Sequence, residues 1–246
     1  MKIFNFIKLV ENDPKNLVLK KDENCILCTT RNFGRKRDVR IPKKLNGDIS
    51  FLCGAIIGDG HLGKRDFLIR IEMTSKDILE TIIQKIKNNF LVEPRLLEVK
   101  KRYMWSRTWK IGFDCKLMWL FFNEVFEIPA GKKSDVVKVP KIIMGSDVEC
   151  KRNFIVGLFL TDGSFKRQTI RFVSASEEPI SGLCELLKSL DMVSYKRSYE
   201  NHKFNKSFFG LIVKGADAKR FKLLCPETLI KQGSPSLVNG SRLKVS

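Results

Sequence analysis

The chain has 246 residues, of which 43% are apolar, seven are cysteine, and 46 are Lys or Arg against 27 acids, a formal net charge of +19. That apolar content supports packed cores and excludes a disordered basic tail, while the odd cysteine count argues for reduced thiols and against a disulfide framework. No apolar run reaches the roughly 20 residues that span a bilayer, and charges at Lys8 and Glu11 make a poor signal peptide. An intracellular protein with no membrane partner is expected, in a prokaryotic cytoplasm or within an organelle. The excess of positive charge predicts a polyanionic partner.

Residues 1–47 read as an N-terminal basic extension ending in the charged segment Arg31–Lys44. A helix follows, with Asp48 or Ser50 as its N-cap, and closes on Asp59-Gly60. Ile69, Ile71 and Met73 then alternate with Arg70, Glu72 and Thr74, the period of a strand with one wet face. Asp77–Phe90 has helical period, Leu96–Tyr103 and Trp105–Phe113 read as strands, and Lys116–Phe126 as a very apolar helix. Residues 131–148, containing Gly131, Pro140 and Gly145, form a connector. From 149 the order repeats: an apolar helix ending at Asp162-Gly163, a strand at Thr169–Ala175, a helix at Pro179–Leu190, strands at Val193–Tyr199 and Phe208–Lys214, and a helix at Ala216–Leu224. Residues 226–246 are a tail rich in Ser, Gly, Pro and Lys. Counting a weakly marked strand after each Asp-Gly, the expected fold is α+β, with two pseudo-symmetric αββαββα halves at 48–130 and 149–225.

The two Asp-Gly helices are one motif written twice. Leu52-Cys53-Gly54-Ala55-Ile56-Ile57-Gly58-Asp59-Gly60 and Ile155-Val156-Gly157-Leu158-Phe159-Leu160-Thr161-Asp162-Gly163 stay in register throughout at a spacing of 103 residues, the difference 162 − 59. A helix apolar all round must be buried on every side. Glycine in mid-helix costs about 1 kcal/mol relative to alanine, which close approach of a second helix would offset. Gly54, Gly58, Gly157 and Thr161 are therefore expected at a helix–helix interface, setting Asp59 and Asp162 near one another. Each carboxylate faces the negative end of its helix dipole, unfavourable by about 0.3–1 kcal/mol, and the pair repels. A bound Mg²⁺ would relieve both, because it accepts one or two carboxylates and fills its shell with water and phosphate oxygens. The competing reading makes Gly60 and Gly163 simple helix-terminating residues; it explains one copy well and two in register poorly.

At these residues, and in the order of elements across roughly 48–225, the chain resembles the LAGLIDADG homing endonuclease family, specifically its single-chain two-motif members. The resemblance implies two halves joined through their motif helices, each laying a curved antiparallel sheet on double-stranded DNA. It implies a monomer that cleaves a site-specific target with Mg²⁺, Mn²⁺ being able to substitute. Asp59 and Asp162 stand at the family's catalytic, metal-binding positions, and Gly58 and Thr161 beside them join the metal set. Basic or polar residues that organise water are also implied, for which Ser75, Ser176, Lys132 and Lys133 are candidates. Ile57 and Leu160 depart from the acid in the family's name, at a position that does not carry the chemistry.

If the apolar strand faces meet the helices, DNA would be read by Arg70, Glu72, Thr74, Glu98, Lys100, Arg102, Thr108 and Lys110 in the first half. Thr169, Arg171, Val173, Lys196 and Ser198 would do so in the second. The halves differ at nearly every outward position, so an asymmetric target is expected. Trp105, Trp109 and Trp119 read as core. Cys25 and Cys28 have half the spacing of a zinc site and lack its other half; His61 follows the first Asp-Gly and is equally explained as a loop residue. The basic segment Arg31–Lys44 is expected to add phosphate contacts. The leading function is an endonuclease that spreads a mobile element; the alternatives are an RNA maturase bound to intron RNA and a non-catalytic DNA-binding regulator.

Overall fold

Local sequence pattern explains most of the elements in the computed structural model, which describes residues 2–32, 35–99, 107–132, 138–166, 168–201 and 206–226. The N-terminal segment is folded. Helix α1 (Lys2–Asn12) buries Ile3, Phe6, Ile7 and Val10 at the i, i+3, i+4, i+7 spacing of an amphipathic helix. Strands β1 (Asn16–Lys21), β2 (Cys25–Asn32) and β3 (Arg35–Pro42) form an antiparallel sheet in that order, with Ile26, Cys28, Val39 and Ile41 fully buried on one face. The Phe6 ring meets Phe121 edge-on at 5.5 Å. Arg37 donates to the Asp114 carbonyl at 2.6 Å, and Arg40 to that of Asn88 at 2.8 Å. Two arginines of the expected phosphate-contacting segment thus hold the N-terminal sheet against the rest of the molecule.

The first half runs α2 (Gly47–Gly58), β4 (Gly60–Leu62), β5 (Leu68–Met73), α3 (Lys76–Phe90), β6 (Arg95–Val99), β7 (Thr108–Asp114) and α4 (Lys116–Leu120). The N-cap of α2 is Asn46, whose side-chain oxygen accepts from the Ile49 N–H at 2.8 Å, so neither Asp48 nor Ser50 caps it. Asp48 lies in the first turn, where its charge favours the dipole, and pairs with Lys85. The expected helix Lys116–Phe126 is α4 followed by a π-helical turn, Phe121–Val125. The wider turn accommodates Phe121, Phe122 and Phe126, which pack on one another and around Phe90 with ring centroids 5.5–5.8 Å apart.

A short helix, α5 (Lys141–Met144), precedes the second half: α6 (Val148–Asp162), β8 (Ser164–Lys166), β9 (Thr169–Ser174), α7 (Glu177–Lys188), β10 (Tyr195–Asn201), β11 (Lys206–Lys214) and α8 (Gly215–Leu224). The two four-stranded antiparallel sheets have matching orders, β4-β5-β7-β6 and β8-β9-β11-β10, so the α+β class and the two like halves stand. The short strands β4 and β8 are the faint partners after each Asp-Gly. A single apolar cluster runs from α1 through both motif helices to α8. No helix among the described residues is long and apolar enough to cross a membrane.

Candidate active site and nucleic-acid interface

No two elements touch more extensively than α2 and α6, and glycine is what lets them. A Cβ built on Gly54 would lie 2.7 Å from the Leu158 backbone nitrogen, and one on Gly157 would lie 2.9 Å from the Phe51 carbonyl carbon. The helices therefore meet backbone to backbone, and along their motif stretches neither presents a polar face, because both are buried on every side. At the end of the pair, a Cβ on Gly58 would stand 3.0 Å from Thr161 Cβ and 3.3 Å from Asp162 Cβ. The residue preceding Asp59 thus abuts Asp162 itself. Both carboxylates sit at one end of the helix pair, and both residues are exposed.

Gly60 and Gly163 are not left-handed caps. Gly163 is extended, at φ −88° and ψ 162°, and neither glycine has positive φ. Their need for glycine is steric: a Cβ on Gly60 would lie 2.5 Å from Ile56 Cα, and one on Gly163 would lie 2.9 Å from Phe159 Cα. Each chain folds straight back over the last helical turn into its short strand. In both copies the same close turn fixes where the preceding acid points from.

The side chains expected around the acids are distributed unevenly. The Thr161 hydroxyl shares its proton between the carbonyls of Gly157 and Leu158, at 3.0 and 3.1 Å, and is buried. Ser75 is a helix cap, not a water-organising residue in the open: it is buried, and its Oγ accepts from the Ile78 N–H at 3.4 Å. Ser176 takes the equivalent position before α7 and makes no side-chain cap. Lys132 is exposed and follows Gly131, whose N–H donates to the Leu62 carbonyl at 2.7 Å, so it emerges beside the strand that leaves Asp59. Lys133 lies outside the described residues. Lys138, not singled out by the sequence, lines a cavity of about 50 Å³ together with Ile57 and Asp162.

Strand register decides which residues face away from the helices. In the first half, Arg70 is flanked by His61 of β4 and Gly112 of β7, and Gly112 by Arg95. Glu72 pairs with Lys110, and Lys110 with Leu97. These side chains, with Thr74, form the outer face. Glu98 does not belong to it: it opposes Trp109, whose ring packs on the core side under Lys76. Thr108 has the outward parity of Lys110 yet is only 4% exposed, because parity assigns a face without assigning its cover. Lys100, Arg102 and Trp105 lie outside the described residues.

In the second half Thr169, Arg171 and Val173 face outward, opposite the buried Ile170 and Phe172. Lys196 and Ser198 do not. Lys196 opposes the fully buried Leu211 and its Nζ bonds Ser181 Oγ of α7 at 2.7 Å; Ser198 opposes Phe209, which packs on the core. A one-residue shift exchanges the faces of a strand, so the outward residues of β10 are Tyr195, Arg197 and Tyr199. Cys25 and Cys28, three apart on β2, point to opposite faces, and Cys25 Sγ bonds Asp22 Oδ2 at 3.2 Å. They are not half of a zinc site.

Two family descriptions match this sequence: residues 149–225 match the LAGLIDADG-like domain and residues 49–106 the WhiA LAGLIDADG-like domain. The chain has a LAGLIDADG two-motif fold. Its fold is shared with homing endonucleases. I-DmoI in complex with DNA and Mn superposes with a TM-score of 0.52 at 17% identity, covering 72% of this chain and 95% of that one. I-WcaI bound to its DNA recognition sequence gives 0.53 at 17%, covering 76% and 85%, and the N-terminal LAGLIDADG domain of WhiA gives 0.50 at 19%, covering 72% and 80%. Curated relatives include a probable translation initiation factor IF-2 of Methanocaldococcus jannaschii, 29% identical over 195 residues, and the replication factor C small subunit of the same organism, 27% identical over 179. A component of the A-type ATP synthase of Pyrococcus abyssi is 26% identical over 184. The matches cover 71–75% of this chain but only 9–17% of those proteins.

As a metal site, the LAGLIDADG acids have a definite character. Among the described residues no three His, Cys, Asp or Glu side chains converge as ligands. Two exposed carboxylates fit a hard divalent cation that keeps water and takes phosphate oxygens; they do not fit a closed site of four nitrogen and sulfur ligands.

Proposed function

We propose that this LAGLIDADG protein is a site-specific endonuclease of double-stranded DNA. Asp59 and Asp162 would hold Mg²⁺, or Mn²⁺ in its place, between two unlike DNA-reading sheets, in a monomer. The observation that carries the reading is the contact of Gly58 with Thr161 and Asp162, which sets the two acids at one end of the helix pair. A divalent ion bound there supplies charge neutralisation of the scissile phosphate and a more acidic attacking water. The chain's own part is to hold two carboxylates at fixed positions on buried helices and to lay the DNA across them. The relatives support a mobile element: a translation factor, a replication factor and an ATP synthase component share no function by name, yet each resembles this chain over a small part of its length. A segment common to such hosts is what a spreading element leaves behind. Intron RNA receives no support from these matches.

The test is Mg²⁺-dependent cleavage of a duplex selected by the protein. Asp59→Asn and Asp162→Asn should each lower double-strand cleavage by at least about a hundredfold, beyond the 10–100-fold typical of outer-shell changes at metal sites, while binding persists. Wild-type rates in either variant would refute the assignment. A second reading, a DNA-binding regulator without cleavage, is favoured by the match of residues 49–106 to the WhiA LAGLIDADG-like domain; it predicts binding with no cleavage in the wild type.

A further inference from the structure

The outer faces of the two sheets are equivalent in frame and opposite in chemistry. Arg70 and Arg171 occupy the same place, each opposite the residue two beyond its motif acid, His61 and Ser164. Around that shared arginine every neighbour changes. Gly112 and Arg95 on the first face correspond to Ile212 and Tyr195 on the second; Glu72, Lys110 and Leu97 correspond to Val173, Gly210 and Arg197. The first face is therefore hydrogen-bonding: His61, Arg70, Arg95, Glu72 and Lys110, with Leu97 its exposed apolar member.

The second face sets rings and branched carbons among Arg171, Arg197, Thr169 and Lys214. Tyr195 is 55% exposed and Val173 37%. The Tyr199 ring lies across Gly210, where a Cβ would approach its Cε2 to 2.6 Å, and Phe208 pairs with Tyr199 on the same face. Arg171 and Arg197 are exposed beside them. Apolar surface interleaved with cations suits one partner, the major groove of DNA. The apolar group the groove presents there is the thymine 5-methyl, whereas arginine and acids address guanine and cytosine.

We infer that the two wings read their half-sites by different chemistry: the second recognises thymine methyls beside guanine through Val173, Tyr195 and Tyr199, and the first recognises base edges mainly through polar side chains. The inference rests on the proposal that the protein binds double-stranded DNA, and it sharpens it. Uracil lacks the 5-methyl, and the major groove of A-form RNA is too deep and narrow for side chains to read. A methyl-reading face thus distinguishes a DNA ligand from an intron RNA. If the aromatic residues served only to stabilise the sheet by cross-strand packing, no base would be preferred beneath them.

The experiment uses the full chain with divalent metal withheld, so that duplexes are bound and not cut. Binders are selected from a randomised duplex library, and in the selected duplex thymines are replaced by deoxyuridine in one half-site at a time. Affinity is read by fluorescence anisotropy. In one half each lost methyl contact should weaken binding about fourfold, as expected for one buried carbon group; the other half should be clearly less sensitive. Tyr195→Ser, at an exposed position, and Val173→Ser should each reduce the thymine-over-uracil ratio, while Arg70→Ala should leave it intact. Tyr199→Ser is read only alongside a melting curve, because its ring packs on Gly210. Equal or absent uridine sensitivity in the two halves, with tight binding retained, would overturn the inference and leave DNA binding standing. Failure to enrich any duplex would overturn both.

Discussion

Asp147 shows how one side chain ties sequence to stability. It caps α6, the second motif helix, by accepting from the Cys150 N–H at 2.7 Å. That backbone bond is the main reason its carboxyl is held below the ordinary carboxylate range, burial opposing it weakly. A folded-state pKa lowered below the unfolded value gives a stabilisation that is complete above the unfolded value of about 4 and is lost as pH falls through the folded one. Asp147→Ala should therefore cost about 1 kcal/mol at neutral pH, and the difference from wild type should shrink below about pH 4. Asp147→Ser keeps a cap that does not titrate, so urea denaturation at pH 7 and pH 3 should show its cap contribution unchanged. A gap between Asp147→Ala and wild type that stays constant with pH would contradict the role.

At the scale of elements, the motif helices were legible because their signal is local and repeated. An unbroken apolar helix, small residues at fixed intervals and a closing acid need no tertiary information to be read. Their packing makes a sharp prediction. Alanine is favoured over glycine within a helix by about 1 kcal/mol, yet at Gly157 the added carbon would meet the Phe51 backbone, 2.9 Å from its carbonyl carbon. Backbone cannot rotate away, so Gly157→Ala should lower stability by about 1–3 kcal/mol, seen as a lower urea midpoint. Gly112→Ala, whose Cβ would meet only Leu68 Cδ1 at 4.0 Å, should not. The phase of β10 was illegible for the opposite reason. Tyr195-Lys196-Arg197-Ser198 offers no apolar contrast between its faces, so a period of two is visible without saying which residue points outward. Only pairing with Leu211 and the Lys196–Ser181 bond fix it. Likewise Asn46 was missed as a cap because Asp48 and Ser50 compete for the same signal.

At the scale of the whole molecule, a run of charge conceals a folded segment. The segment Arg31–Lys44 reads as a basic arm, but alternation at Ile26, Cys28, Val39 and Ile41 makes it half of a small sheet bound to the first half. Phe6→Ala should accordingly cost about 3–5 kcal/mol as measured by chemical denaturation; an appended arm would tolerate it.

The same docking bears on the polyanion expected from a net charge of +19. Arg37 and Arg40 are spent on carbonyls, and Lys2, Lys85 and Lys116 on Glu127, Asp48 and Asp13. These five cations are held in structural contacts and are not free to turn toward phosphate. With about six to ten phosphate contacts, the slope of log K against log salt should lie near −5 to −9, well short of a value set by every positive charge. Phosphate contacts position without specifying, so random-sequence DNA should share a large part of that slope. The thymine-over-uracil preference, a difference of one methyl at unchanged phosphate charge, should stay level as salt rises. Titrations of target, uridine-substituted and random duplexes over about 50–200 mM salt would separate the two. A preference that faded together with affinity would mean that charge, and not the outer face of the second sheet, had produced it.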